Sequence, residues 1–262
     1  MGIPMLSIIT VCRNAKAQLQ ATMENVLSQD FADFEYLVID GASDDGTVSL
    51  LKKSRTAFDR KGIPFRFISE PDGGIYDAMN KGTKMAEGEW LLFLNAGDLL
   101  ASAHILSEFF PAEEDTQILY GDTICVYQGR QKLYPALPLE RLTEEMAFCH
   151  QSAFIRRELL LQIPYDTSYR ICADHHFFLR MYLKGKVFAY RPKPVAIYEI
   201  AGYSDKNKLR SHREQKRMQQ ELGVFRFSFS RVVRECVFYL KLGAKTLFGQ
   251  KLVDWVRKSR LR

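Results

Sequence analysis

Paired cysteines are missing from this sequence. The five it has (Cys12, Cys125, Cys149, Cys172, Cys236) are scattered, and none lies in a CxxC spacing. That argues against a disulfide framework and fits a reducing cytoplasm. No His/Cys/Asp group has zinc-like spacing either. Long apolar runs are also missing. No stretch approaches the roughly 18 residues that span a bilayer. The short MLSIITV segment lacks a basic flank and runs into polar CRNA, so it does not read as a secretory signal. There is no GxGxxG after the first apolar run and no GxxxxGK[ST], so neither standard glycine-rich phosphate loop is present. The absence of GxSxG removes the nucleophile elbow of a Ser-His-Asp hydrolase. No internal repeat or low-complexity tract is visible.

What is present is ordinary globular material. The 262 residues are 47% hydrophobic and 26% charged, enough for one large domain, or one domain plus an appendage. The charge is unevenly placed. Residues 208–262 hold fifteen Lys/Arg against four Asp/Glu, a net of +11; the whole chain carries +6, so residues 1–207 carry −5. The basic character belongs to the tail. A mildly acidic body argues against nucleic acid as a partner.

Short β-rich runs alternate with segments of helical spacing. Strands are expected at 6–11, 34–39, 64–69 and 90–94, with helices at 17–27, 47–58 and 75–85 between or after them. This alternation predicts βαβ units and a mostly parallel sheet. The middle is less regular. Strands are expected at 116–121, 124–127 (pairing with 132–134), 153–156 and 195–199, and helices at 174–183 and 208–222.

In open α/β sheets ligands lie beyond the carboxyl ends of the strands. Four polar groups occupy those positions: residues 10–13, 40–45, 70–74 and 95–98. They should converge on one rim. Three of them contribute Asp40, Asp72 and Asp98. Acids gathered on one rim need a positive or hydrogen-bonding partner, and a divalent metal, a nucleobase or sugar hydroxyls would each serve. A strand-end Asp also serves simply as a helix cap, and Gly73-Gly74 reads equally well as a plain tight turn.

SIITVCRNA, EYLVIDGASDDGT, EPDGGIYDAMNKG and GEWLLFLNAGD, in this order, resemble the family 2 glycosyltransferases over roughly the first 200 residues. Among them the similarity is greatest to bacterial enzymes of surface-polysaccharide assembly, including the colanic-acid type. The resemblance implies a GT-A fold: Rossmann-like, α/β, a mostly parallel central sheet with flanking helices, followed here by a basic amphipathic helical extension. It implies a domain over 1–205, with a nucleotide-sugar-binding half (1–100) and an acceptor-binding half (101–205), and a separate segment over 206–262. It implies an inverting glycosyltransferase of hexosyl or N-acetylhexosaminyl type, with a UDP-sugar as the first donor to consider. The alternative is an inactive sugar-nucleotide-binding or scaffold subunit on the same fold. A nucleotidyltransferase would need a glycine-rich basic loop where TVCRNAKA stands.

The resemblance also implies roles. Thr10, Val11 and Arg13 would border base and ribose, Asp40 would bond the base, Asp72 would lie near base and ribose, and Lys81 would approach the diphosphate. Asn95 to Asp98 occupy the place of the family's Asp-x-Asp motif, with Asn95 in the first acid position. Asp98 would then be the main protein ligand of Mn²⁺ or Mg²⁺, ions that take oxygen ligands. Asp174, in YRICADHHFFLR, would be the catalytic base, though the same position suits a helix cap. His150 and Gln151, in FCHQSAF, would contact acceptor or donor phosphate, or be structural. Asp166 reads as a turn residue.

The tail, 224–262, alternates apolar and aromatic residues with Arg and Lys at roughly helical spacing, and its longest apolar run, CVFYL, is five residues. Such a segment suits the anionic face of a membrane, here the inner face of the cytoplasmic membrane. Packing on the domain or in an oligomer interface is the other reading.

Overall fold

Seven consecutive buried residues form β1 (Leu6–Cys12), and seven more form β2 (Phe34–Asp40). Strands buried on both faces are what a parallel sheet between helical layers requires. β3 (Phe65–Ser69) and β4 (Trp90–Phe93) complete a parallel block in the order β3-β2-β1-β4. The helices between them are α1 (Lys16–Leu27), α2 (Thr47–Arg60) and α3 (Ile75–Met85). The structure is a computed structural model, and it describes residues 4–199, 207–225 and Val237.

The sheet continues through β8 (Ala153–Arg156), antiparallel to β4, and then β6 (Ile118–Tyr127), which is antiparallel to β8. β9 (Phe188–Glu199) runs parallel to β6, and the two-residue β5 (Leu99–Leu100) closes the far edge. β7 (Arg130–Tyr134) forms a hairpin with β6. Short helices α4 (Ile105–Phe109) and α5 (Arg157–Gln162) flank this half, followed by α6 (Ala173–Leu183) and α7 (Lys208–Glu221). The fold is α/β of GT-A type, with its core on the β1–β4 block and α1, α2 and α4. Trp90, Tyr36, Phe58 and Phe109 are fully buried there.

Several boundaries differ from the expectation. The strands expected at 116–121 and 124–127 are one, β6 (Ile118–Tyr127), because Gly121 is a close-approach site and not a break. A Cβ there would meet the Phe109 ring at 2.9 Å and the Val195 side chain at 2.8 Å. β9 starts seven residues before Val195, an extension masked in sequence by Pro192 and Pro194. The chain divides into compact units Met1–Met218 and Gln219–Arg262, with most of α7 in the first. The expected amphipathic segment 224–262 lies almost wholly outside the described residues. Among the described residues no helix is long and apolar enough to cross a membrane, and the four cysteines there (Cys12, Cys125, Cys149, Cys172) are unpaired.

Candidate active site

The parallel block brings the ends of β1, β2, β3 and β4 to one rim, as the strand-end rule requires. A cavity of about 740 Å³ opens there. Its walls include Val11 and Arg13 from the end of β1, and Asp72, Gly74 and Tyr76 from the EPDGGIYD turn. Arg170 and Arg210 close it from the other half of the fold.

Asp72 is held by its own turn, accepting from the Gly74 amide at 2.9 Å. The turn needs both of its tight backbone positions. A Cβ on Gly41 would overlap Asp72 Oδ2. Gly74 has φ +124° and ψ 176°, a region open essentially to glycine alone. A Cβ on it would lie 2.8 Å from a nitrogen of Arg170, the side chain that donates to the Gly73 carbonyl. Gly74→Ala is therefore expected to cost roughly 1–3 kcal/mol in urea unfolding and to weaken nucleotide binding. Wild-type stability in that variant would show that the turn is not strained.

Not every expected residue reaches the cavity. Thr10 does not. It is fully buried, its hydroxyl donating to the Leu94 carbonyl at 2.7 Å and accepting from Tyr36 at 2.8 Å. Strand alternation turns it into the core while Val11 faces out. Asp40 is also fully buried. Its oxygens accept from the Ser69 hydroxyl (2.6 Å), the Ser43 amide (3.0 Å) and the Cys12 thiol (3.5 Å), and from the Ser43 hydroxyl as well. Both carboxylate oxygens are thus occupied within the protein. Burial beside Asp40 pushes the Cys12 thiol far above its usual range, so it stays protonated as a donor. Lys81 is taken up by Glu70 at 2.7 Å and by the Pro71 carbonyl at 2.8 Å. It braces the turn from behind.

The 95–98 turn is pinned by Thr22 of α1, which donates to the Asp98 carbonyl and accepts from the Gly97 amide, each at 2.9 Å. The Asp98 side chain is 8% exposed and accepts from Gln151 at 3.1 Å. Burial raises its carboxyl to about 7, against the lowering effect of Gln151 and Asn95. Asn95 Oδ1 is buried with no partner among the described residues. An oxygen with nothing to accept, next to a carboxylate that burial discourages from ionising, is a donor pair suited to an oxygen-seeking divalent cation. Among the described residues no group of three or more His, Cys, Asp or Glu could hold a metal. Substrate phosphates and water would have to complete such a site.

Asp174 stands in the first turn of α6, and its side chain is 18% exposed. It is not the N-cap; Cys172 is, without a side-chain capping bond. Oδ1 accepts from Tyr76 at 2.9 Å and from the His175 amide at 2.8 Å. Oδ2 makes no hydrogen bond among the described residues and lies 3.9 Å from His150 Nδ1. Tyr76 also lies 2.6 Å from the Ile171 carbonyl, so one hydroxyl proton serves two acceptors. Burial and the nearby Asp174 carboxylate hold the Tyr76 phenol well above its usual range. His150 is 6% exposed, and its burial lowers its basicity, so the imidazole is neutral at pH 7. Its Nε2 is buried and has no partner among the described residues. Gln151 and His150 thereby join the Asp98 turn to Asp174. His175 is structural, its Nε2 lying 2.7 Å from the Leu142 carbonyl.

Sequence reasoning missed Tyr76, Arg170 and Arg210. Tyr76 lay inside the quoted motif but carried no charge to draw attention. Arg170 stands in the YRICADHHFFLR segment, where Asp174 drew the attention, and Arg210 is one of several cations in the charged helix expected at 208–222, with nothing local to distinguish it.

A parallel block with acids and glycine turns on its rim is the plan of an α/β nucleotide-binding enzyme. The model of glycosyl transferase family 2 matches residues 7–188, and the chain belongs to this family. A PGL/p-HBAD biosynthesis glycosyltransferase of Mycobacterium bovis is 36% identical over 211 residues, 78% of this chain and 81% of that one. The glycosyltransferase EpsJ of Bacillus subtilis, itself uncharacterized, is 24% identical over 224 residues, 76% and 64% of the two chains. Of solved structures, residues 1–349 of S. aureus TarS with UDP-GlcNAc superpose with a TM-score of 0.61 at 20% identity, covering 75% of this chain. This chain spans only 59% of that one. The mannosyltransferase PcManGT of Pyrobaculum calidifontis, with GDP-Man and Mn²⁺, gives a TM-score of 0.64 at 18% identity, covering 86% and 66%. At these identities the structural likeness speaks for the fold. The family match and the mycobacterial relative make the chain a glycosyltransferase.

Proposed function

We propose that this glycosyltransferase is inverting and moves a sugar from a nucleoside diphosphate sugar to a hydroxyl of a saccharide or lipid-linked saccharide. The observation that carries the reading is the state of Asp174. Its Oδ1 is occupied by Tyr76, a residue of the cavity wall, and by the His175 amide, while Oδ2 has no hydrogen bond among the described residues. Oδ2 takes the acceptor hydroxyl proton, the acceptor oxygen bonds to the anomeric carbon, and the bond to the diphosphate oxygen breaks on the opposite face. Tyr76 keeps the carboxylate oriented. A neutral His150 adds no cation to blunt its basicity.

Arg13, Arg170 and Arg210 line the cavity with positive charge, and Asp72 offers acceptors to ribose or base. Asp40 shapes the base pocket through Ser43 and Ser69. Asp98 and Asn95 Oδ1 are the oxygens that would hold a Mn²⁺ or Mg²⁺. Such an ion, when bound, supplies charge neutralisation for the leaving diphosphate. The hexosyl or N-acetylhexosaminyl class, with a UDP-sugar first, is the donor range to test. Residues 1–205, together with α7, which brings Arg210 to the cavity, would carry the chemistry, and 224–262 would bring it to an anionic membrane surface.

A thermal-shift series with UDP, GDP and dTDP, each with Mn²⁺, tests the donor site. One of the three is expected to raise the melting temperature by several degrees at about a hundred times its Kd, through linkage. No shift with any of them would end the sugar-nucleotide reading.

A further inference from the structure

Glu214 lies in the middle of α7, in the run KLRSHREQKR, whose sequence reads as a solvated charged face. Its side chain is nevertheless only 9% exposed. Its two oxygens accept from three consecutive backbone amides: Arg170 at 3.0 Å, Ile171 at 2.9 Å and Cys172 at 3.1 Å. Successive amides that converge on one anion form a nest, and charge-assisted bonds of this kind are about twice as strong as neutral ones. Arg210, one turn earlier, lies 3.6 Å from Glu214.

The three amides lead directly into the first turn of α6. Cys172 is the N-cap of α6 and makes no side-chain capping bond, so the carboxylate of α7 supplies that anchorage from another helix. The same segment meets the donor turn on its other side. The Ile171 carbonyl and Asp174 Oδ1 share the Tyr76 hydroxyl, and the Arg170 guanidinium donates to the Gly73 carbonyl. The segment that carries Asp174 is thus clamped between Glu214 behind it and the donor turn in front.

We propose that Glu214 is a positioning residue for Asp174, so that α7 is part of the catalytic apparatus. This rests on the reading of Asp174 as the base. Its reach to the chemistry is indirect: Glu214 fixes the backbone, the backbone fixes the Asp174 carboxylate, and misplacement of a base by an ångström costs rate out of proportion to stability.

The test compares Glu214→Ala, Glu214→Gln and Asp174→Asn. Release of nucleoside diphosphate from UDP-, GDP- and dTDP-hexoses gives kcat, calorimetry with the free nucleoside diphosphates gives Kd, and hydrogen exchange gives the order of the Ile171 and Cys172 amides. Glu214→Ala should lower kcat ten- to a hundred-fold, change Kd less than three-fold and shift the acid limb of the kcat profile. Glu214→Gln keeps the shape and one acceptor, and should fall in between. If Asp174→Asn retains turnover, the base assignment fails and takes this proposal with it. If Asp174→Asn is inactive while both Glu214 variants turn over within two-fold of wild type, the Glu214 proposal alone fails. Should Glu214→Ala not fold, Glu214→Gln carries the comparison. Fast exchange of the Ile171 and Cys172 amides in the wild-type enzyme would overturn the proposal whatever the variants do.

Discussion

Replacing Asp174 by Asn is expected to lower turnover by roughly 10²–10⁴-fold, the range ordinarily lost with a general base. The affinity for a free nucleoside diphosphate should stay within about two-fold, since the cavity is lined by other residues. The reason is specific to the geometry. An amide at 174 keeps an oxygen for Tyr76 at 2.9 Å and for the His175 amide at 2.8 Å, so the first turn of α6 is undisturbed. What changes is the second atom. An NH₂ group replaces Oδ2 and cannot accept the acceptor's proton. Steady-state release of nucleoside diphosphate, with calorimetry beside it, separates the two quantities. Turnover within ten-fold of wild type would remove Asp174 from the chemistry. It would also revive the reading of the chain as a binding or scaffold subunit.

Asp98→Asn should stabilise the protein, and only at higher pH. Burial raises the Asp98 carboxyl from 3.8 to about 7. Between those values the folded state binds a proton that the unfolded state has released. Stability therefore falls as pH rises from about 4 to about 7, and the whole cost is present above 7. Three pK units correspond to about 4 kcal/mol at most, or roughly 10 °C in a domain of this size. Asn removes that cost while keeping an oxygen for Gln151. Above pH 7 the variant should melt higher than wild type, and below pH 4 the two should coincide. Mn²⁺ added with a nucleoside diphosphate should close the gap by stabilising wild type alone, because the cation offsets the buried charge. A wild-type melting temperature indifferent to Mn²⁺ at pH 8 would remove Asp98 as a cation ligand.

Much of the fold was legible locally. The β1–β4 block and its helices emerge from alternating apolar runs and helical spacings, because a parallel sheet demands strands apolar on both faces. α3 was expected at 75–85 and β8 at 153–156, and both are found there. β5 was not foreseen. Two residues, Leu99 and Leu100, carry no periodicity, and their strand exists only because β9 lies alongside. The same holds for the early part of β9, where two prolines mask a strand that β6 stabilises.

The site divides in the same way. By itself the sequence determined the family, the rim and its acids. Those features are set by short-range patterns: strand ends, glycine turns and motif order. Which acids remain available was decided by tertiary structure. Asp40 and Asp98 look alike in sequence, each following a buried run. Yet Asp40 meets donors on both oxygens from other strands and turns, while Asp98 meets Gln151 and its own turn and lies beside an Asn95 oxygen that has no partner among the described residues. Thr10 and Val11 are neighbours, and the pleat sends one inward and the other to the cavity. Tyr76 and Asp174 are 98 residues apart, and Glu214 is 44 residues from Arg170. No local pattern encodes those meetings. A carboxylate is buried or free, a donor or a clamp, according to what the rest of the chain places against it.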